Sequence, residues 1–186
     1  TEAATIRFDP AGKVTAVFGV ASHGQGLETT LAQIVADEVG VPIEDVRVLH
    51  GDTEVSPYGT GTYASRSLVL AGGAAILAGR AVREKMTLIA GHLLEAGPAD
   101  LTLADGRFSV RGMADRSVTV RQVARAAYSG ARQLPKGLEP GLEATKFYDP
   151  YYGTASNATH LALVEVDRAT CEVKTLRYVV VEDCGR

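Results

Sequence analysis

The residue types that offer most chemistry lie in Ser22-His23-Gly24-Gln25-Gly26-Leu27-Glu28-Thr29-Thr30. An apolar run from Val14 to Ala21 precedes this stretch, and Leu27, Leu31, Ile34, Val35 and Val39 follow at helical spacing. The spacing predicts a strand, a glycine corner and a helix start. Backbone N–H groups at such a corner have no partner inside the helix, and the helix dipole adds partial positive charge. Phosphates and other anions bind at such places. Glycine is also the ordinary residue of a strand-to-helix turn, so the stretch alone reads equally as a plain connection.

A second polar stretch, Gly51 to Ser67, is dense in glycine and hydroxyl residues and long for a simple connection. It matches no standard template. A phosphate-binding P-loop needs a lysine after its second glycine, which both loops lack. Gly59-Thr60-Gly61-Thr62-Tyr63-Ala64 fits the relaxed dinucleotide pattern, but a loop precedes it where that pattern requires a strand. The four histidines, His23, His50, His92 and His160, are scattered, so no metal-ligand spacing results. No serine sits in a nucleophile elbow. Glu28 falls on the first turn of a helix, where a carboxylate favourably meets the dipole. Two loops remain: one offers Gly24, Gln25 and Gly26, the other Thr60, Thr62, Ser65 and Ser67, with Arg66 as the cation. Neutral donors of this kind suit a large anionic ligand, and glutamine adds an acceptor and two donors on one side chain. Two polar loops that merely cap their helices would look the same.

The elements that must position these loops are legible in part. Thr5–Phe8 and Val14–Ala21 form a hairpin around Asp9-Pro10-Ala11-Gly12, and a helix from Leu27 stops at Gly40. Val46–His50 reads as a strand, and Leu68 to about Leu94 as a long helix whose glycines and alanines imply close packing. A hairpin turns at Asp105-Gly106, and Thr119 to Gln122 resembles a capping box opening a helix to Tyr128. Residues 130–159 show no sustained periodicity, and His160–Val166 with Lys174–Val181 form a closing hairpin. The expected fold class is α+β: a two-layer domain over 1–186, its mixed sheet built from hairpins with helices packed on one face.

Composition narrows the function classes. The chain has 186 residues, 46% of them hydrophobic and 22% charged, enough to bury a core. Its net charge of −3 with no basic patch argues against nucleic acid as a partner. No apolar run is long enough to cross a bilayer, so membrane insertion is not expected. Cys171 and Cys184 match no metal or redox spacing, in keeping with a reducing, cytoplasmic setting. The strands lying so close to both ends lead to the expectation of a fragment of a longer protein.

His23-Gly24-Gln25-Gly26-Leu27-Glu28-Thr29-Thr30, Gly51-Asp52-Thr53 and Tyr58 through Ser67 together resemble the large subunit of molybdenum hydroxylases. That family includes xanthine dehydrogenases, aldehyde oxidases and the aerobic carbon monoxide dehydrogenase branch, which this sequence resembles most. Leu138-Glu139-Pro140-Gly141-Leu142-Glu143-Ala144, Tyr148-Asp149-Pro150 and Glu182-Asp183-Cys184-Gly185 extend the resemblance over nearly the whole chain. It implies a molybdenum-molybdopterin cofactor, in bacteria usually the cytosine dinucleotide form, contacted by Gly24, Gln25 and Gly26, with His23 beside them. The family's Thr-x-Ala-Ser-x-Ser stretch maps onto Thr62, Ala64, Ser65 and Ser67, with Tyr63 and Arg66 on the substrate side or in a secondary role. It further implies hydroxylation of a small molecule with water as oxygen source, and partner subunits carrying iron–sulfur clusters and FAD.

The family's glutamate base maps beyond Cys184-Gly185. The resemblance therefore implies no catalytic residue in this chain, no activity of the chain alone, and a site completed by the remainder of the large subunit. The alternative is a non-catalytic module of the same fold binding another anion or nucleotide. A structural interaction domain is the third class.

Overall fold

A computed structural model of the chain describes residues 1–130, 132, 134–151 and 157–183. It divides into two compact units, Thr1–Pro150 and Tyr151–Arg186.

The first unit is built on a four-stranded sheet of order β3-β2-β1-β7, with β1 Glu2–Phe8, β2 Val14–Phe18, β3 Val46–Leu49 and β7 Glu143–Tyr148. The expected hairpin pairs β1 with β2 antiparallel, Ala4 opposite Phe18 and Phe8 opposite Val14. The helix α1, Leu27–Val39, then carries the chain over so that β3 runs parallel to β2, Val14 beside Val46. Alternation puts Ala4, Ile6 and Phe8 of β1 on one face with Val14, Ala16 and Phe18 of β2. Leu31, Val35 and Val39 of α1 cover that face, together with Ala71, Ala74, Ala75 and Ala78 of α2, Ser67–Leu94. The small residues of α2 serve contact: a Cβ added at Gly73 would lie 2.2 Å from the Tyr148 ring.

A three-stranded antiparallel sheet of β4 Leu101–Ala104, β5 Arg107–Val110 and β6 Met113–Thr119 follows. The predicted capping box opens α3, Val120–Tyr128: Gln122 N–H donates to Thr119 Oγ1 at 3.2 Å, and Thr119 N–H to Gln122 Oε1 at 2.8 Å. Tyr128 Oη ties this region to the main sheet by donating to the Phe8 carbonyl at 2.6 Å.

Three elements differ from the sequence-based expectation. β7 pairs with β1 where no periodicity was visible, because an edge strand with mostly exposed side chains carries little apolar alternation. β6 is a largely exposed edge strand as well. β1 begins at Glu2 rather than Thr5, because hydropathy hides a buried carboxylate that continues the Ala4, Ile6, Phe8 face.

In the second unit, β8 Asn157–Val166 pairs antiparallel with β9 Val173–Asp183, Asn157 opposite Asp183, with a bulge at Leu163/Val164. Asp167 shapes the turn by accepting the N–H groups of Ala169 and Thr170, which hold its carboxyl below the ordinary range. Cys171 is a free, exposed thiol, while Cys184 and Gly185 lie outside the described residues. No helix among the described residues is long and apolar enough to cross a membrane.

Candidate cofactor site

Because β2 and β3 are parallel neighbours, the loops that follow them leave the sheet at the same end. Ligands of open α/β sheets bind outside the carboxyl ends of such strands. The first loop enters α1 and the second enters α2, so two helix N-termini and both polar stretches share one edge. Gly19 and Gly59 let the two paths meet: a Cβ on Gly19 would fall 2.5 Å from the Gly59 Cα.

In the first loop, Gly26 is the residue before α1, with φ 75° and ψ 25°, and no side chain caps the helix. Its first-turn N–H groups have no intrahelical acceptor. Gln25 turns its carbonyl back, Oε1 accepting the His23 N–H at 2.5 Å and the Ser22 hydroxyl at 3.5 Å. The amide NH2 of Gln25, with two donors, is the end these loop bonds leave unused. Glu28, expected to face only the dipole, also bonds His50 Nε2 at 2.9 Å. That bond is the chief cause holding the Glu28 carboxyl below the ordinary range, with its own backbone N–H next. Twenty-two residues of sequence separate the pair, and only the β2–α1–β3 crossover brings them together.

The second loop is braced from two sides. Thr62 Oγ1 donates to the Ala21 carbonyl at 2.6 Å, accepts the Ala21 N–H at 3.1 Å and accepts the Ser67 hydroxyl at 3.0 Å. One donor and two lone pairs exhaust a threonine hydroxyl, so Thr62 stitches the loops together and Ser67 points inward, buried. Ala64 and Ser65 lie between these fixed points with φ 51° and 54°. Arg66 follows in the right-handed region with its N–H bonded to the Tyr63 carbonyl at 3.3 Å, and such a change of hand turns the neighbouring N–H groups of Ala64 and Ser65 into a concavity that would suit an anion. Ser65 is exposed, as is Tyr63, whose ring lies 4.9 Å from the Arg66 guanidinium.

The cation expected on the loop surface turns inward: Arg66 pairs with Glu2, whose side chain is fully buried. Nothing in the sequence marks Glu2 as part of this region, because an acidic residue opening a strand reads as solvent-exposed. Beside the loop a cavity of about 310 Å³ is lined by Gly19, Gly51, Asp52, Thr53, Ser56 and Tyr58, among others. The Ser56 hydroxyl is buried without a hydrogen-bond partner among the described residues.

The structure thus brings Gly24, Gln25 and Gly26 to the same sheet end as Thr62, Ala64, Ser65 and Ser67. Around them is room: Cβ atoms added at Gly24, Gly26, Gly51 and Gly61 would meet nothing within 4 Å. Uncharged donors, two helix N-termini and open glycine backbone fit a polyanionic, hydrogen-bond-rich group. A groove of about 570 Å³ between Glu38, Arg80 and Arg83 lies elsewhere and has none of these donors.

The fold and the paired loops define a cofactor-binding domain. The chain belongs to the molybdopterin cofactor-binding domain family, whose model matches residues 1–186. It is 44% identical over 180 residues to the carbon monoxide dehydrogenase large chain of Hydrogenophaga pseudoflava, covering 97% of this chain and 22% of that one. It is 42% identical over 184 residues to the nicotine 6-hydroxylase large subunit of Paenarthrobacter nicotinovorans, covering 99% of this chain and 22% of that protein. The reconstituted CO dehydrogenase from Oligotropha carboxidovorans superposes with a TM-score of 0.92 at 41% identity, covering 99% of this chain and 22% of its own. The expected α+β class and family are thereby shown. The chain spans about a fifth of the length of these relatives.

Proposed function

We propose that residues 1–186 act as one cofactor-binding domain within the large subunit of a molybdenum hydroxylase. Its two loops hold the phosphate-bearing part of a molybdopterin in the cytosine dinucleotide form. The observation that carries this reading is the Thr62 hydroxyl, which locks Ala21 at the mouth of the first loop to Ser67 at the start of α2. That lock makes one cradle of two loops. Family membership and the likeness to large subunits support the identity of the ligand.

When bound, the cofactor supplies the redox chemistry for oxidising an aldehyde, an N-heterocycle or carbon monoxide with water as oxygen source. The residues of this chain bind and orient. Gln25 offers its NH2 group and Gly24 and Gly26 their backbone, the N–H groups of Ala64, Ser65 and Ser67 gather anionic oxygens, and the Ser65 hydroxyl adds a donor. Thr62 and Ser67 hold the cradle's shape. His23 and Tyr63 border the substrate side, while Arg66, turned inward to Glu2, has the secondary role of a brace. The base that activates water comes from the remainder of the large subunit, so the isolated chain turns over no substrate. Electrons pass to iron–sulfur and FAD subunits, and the assembly works in the cytoplasm.

The test is molybdenum, pterin and released-nucleotide analysis of the complete purified protein. Equal amounts of molybdenum and pterin, with cytidine nucleotide on hydrolysis, are expected. Neither molybdenum nor pterin, with another anion or nucleotide retained, would favour the non-catalytic module. If the loops are purely structural, Gln25→Ala with Ser65→Ala leaves cofactor content unchanged.

A further inference from the structure

Glu2 occupies a place where the sheet's apolar face would otherwise continue, in line with Ala4, Ile6 and Phe8, and its side chain has no solvent exposure. We propose that Glu2 is a positioning residue for the cofactor cradle, holding Thr60 and Arg66 so that Ala64 and Ser65 keep their left-handed backbone. This rests on the cofactor reading above.

Its Oε1 accepts the Thr60 N–H at 2.9 Å, the Thr60 hydroxyl at 3.2 Å and the Arg66 guanidinium. Arg66 passes the constraint on: Nη1 also donates to the Gly61 carbonyl at 2.7 Å, Nη2 donates to the Thr1 carbonyl at 3.2 Å, and the guanidinium lies over Tyr63. Residues 60, 61, 63 and 66 are therefore fixed, directly or through Arg66, by one carboxylate. Thr62 is fixed by Ala21 and Ser67. Only Ala64 and Ser65 are left, and both sit at positive φ. Non-glycine residues keep such backbone only where their surroundings over-determine it. The second oxygen, Oε2, is buried with no hydrogen-bond partner among the described residues. Burial of Oε2 without a partner costs free energy that an apolar side chain on this face would not incur, so what the carboxylate contributes lies in the bonds of Oε1 to Thr60 and Arg66. Gly59 completes the arrangement: a Cβ there would lie 2.4 Å from Oε2.

The test uses the complete protein with Glu2→Gln and with the doubly neutral Glu2→Gln/Arg66→Gln. Pterin and molybdenum per folded chain are read after gel filtration, alongside thermal midpoint and trypsin cleavage after Arg66. Glu2→Gln is expected to expose the Arg66 bond to trypsin and to lower bound pterin about tenfold or more, as loss of an outer-shell support does. The double variant, which leaves no lone buried charge, is expected to regain thermal midpoint but not pterin. A role in stability alone would instead restore both together, and that result overturns the proposal. So does wild-type pterin content in folded Glu2→Gln protein. Should Glu2→Gln fail to fold, the double variant decides by the same criterion. Wild-type protein without pterin would show in the control and overturn the cofactor reading itself.

Discussion

The Thr62 hydroxyl and the peptide of Ala21 exchange both their hydrogen bonds, Oγ1 to the carbonyl at 2.6 Å and N–H to Oγ1 at 3.1 Å. Forty-one residues of chain separate the two. A single hydroxyl thus does the work of a strand pair at a point where β2 has already ended.

That exchange predicts a sharp contrast between two substitutions. Thr62→Val keeps the shape but leaves the Ala21 N–H and carbonyl unmet, at a cost of about 1–3 kcal/mol. Thr62→Ser keeps the hydroxyl and is expected to lose much less. Thermal denaturation checks the stability half. Pterin content of the complete protein checks the other: it should fall in Thr62→Val and stay near wild type in Thr62→Ser.

Two glycines of the site should respond in opposite ways to one added methyl group. At Gly59 a Cβ would sit 2.5 Å from the Gly19 Cα and 2.4 Å from Glu2 Oε2, backbone and buried carboxylate that cannot move aside. At Gly26 nothing lies within 4 Å, and the cost is the positive φ alone, about 1–2 kcal/mol. Gly59→Ala is therefore expected to destabilise the fold far more than Gly26→Ala. On the proposed function, Gly26→Ala should leave a folded protein whose cofactor content drops, because the methyl group would take up open space beside the loop proposed to hold the cofactor. Urea midpoints and pterin analysis of both variants check this pair.

The long helix gives a prediction about packing away from the site. A Cβ at Gly73 would come 2.2 Å from Tyr148 Cδ1, so α2 rests directly on the last residue of β7. Gly73→Ala should cost about 1–3 kcal/mol by overpacking, despite the higher helix propensity of alanine. Gly73→Ala with Tyr148→Leu should recover much of it, measured as a double-mutant cycle in denaturant.

Much of this was legible because the signals were local. The Asp105-Gly106 hairpin, the Thr119/Gln122 capping box and the Gly40 stop each depend on a few neighbouring residues, and each stands where expected. The cradle glycines and hydroxyls were legible as types, but not their division of labour. Thr62 and Ser67 look like Ser65 in sequence, and only the approach of Ala21 turns them inward while Ser65 remains exposed. Glu2 and His50 were hidden for a related reason. Their partners, Arg66 and Glu28, stand 64 and 22 residues away, and no periodicity encodes a pairing made by a crossover.

The Glu28–His50 pair yields a pH prediction whose sign is fixed by the carboxylate. Glu28 has a folded pKa below its ordinary value of 4.5, chiefly through the His50 bond. A depressed carboxyl contributes stability above its unfolded pKa, and that contribution is lost as pH falls through the folded value. Wild-type protein should therefore exceed Glu28→Gln in thermal midpoint near neutrality, and the gap should narrow below 4.5 and close at more acid pH. Glu28 is exposed and the pair is screened, so the gap should also shrink in high salt. His50→Gln tests the assigned cause: without the imidazole, Glu28 should titrate closer to its ordinary value and most of the acid-dependent gap should disappear. A gap of constant size across the acid range would mean that Glu28 contributes through packing rather than charge. Melting curves of the three proteins from about pH 7 to about pH 3 distinguish these outcomes.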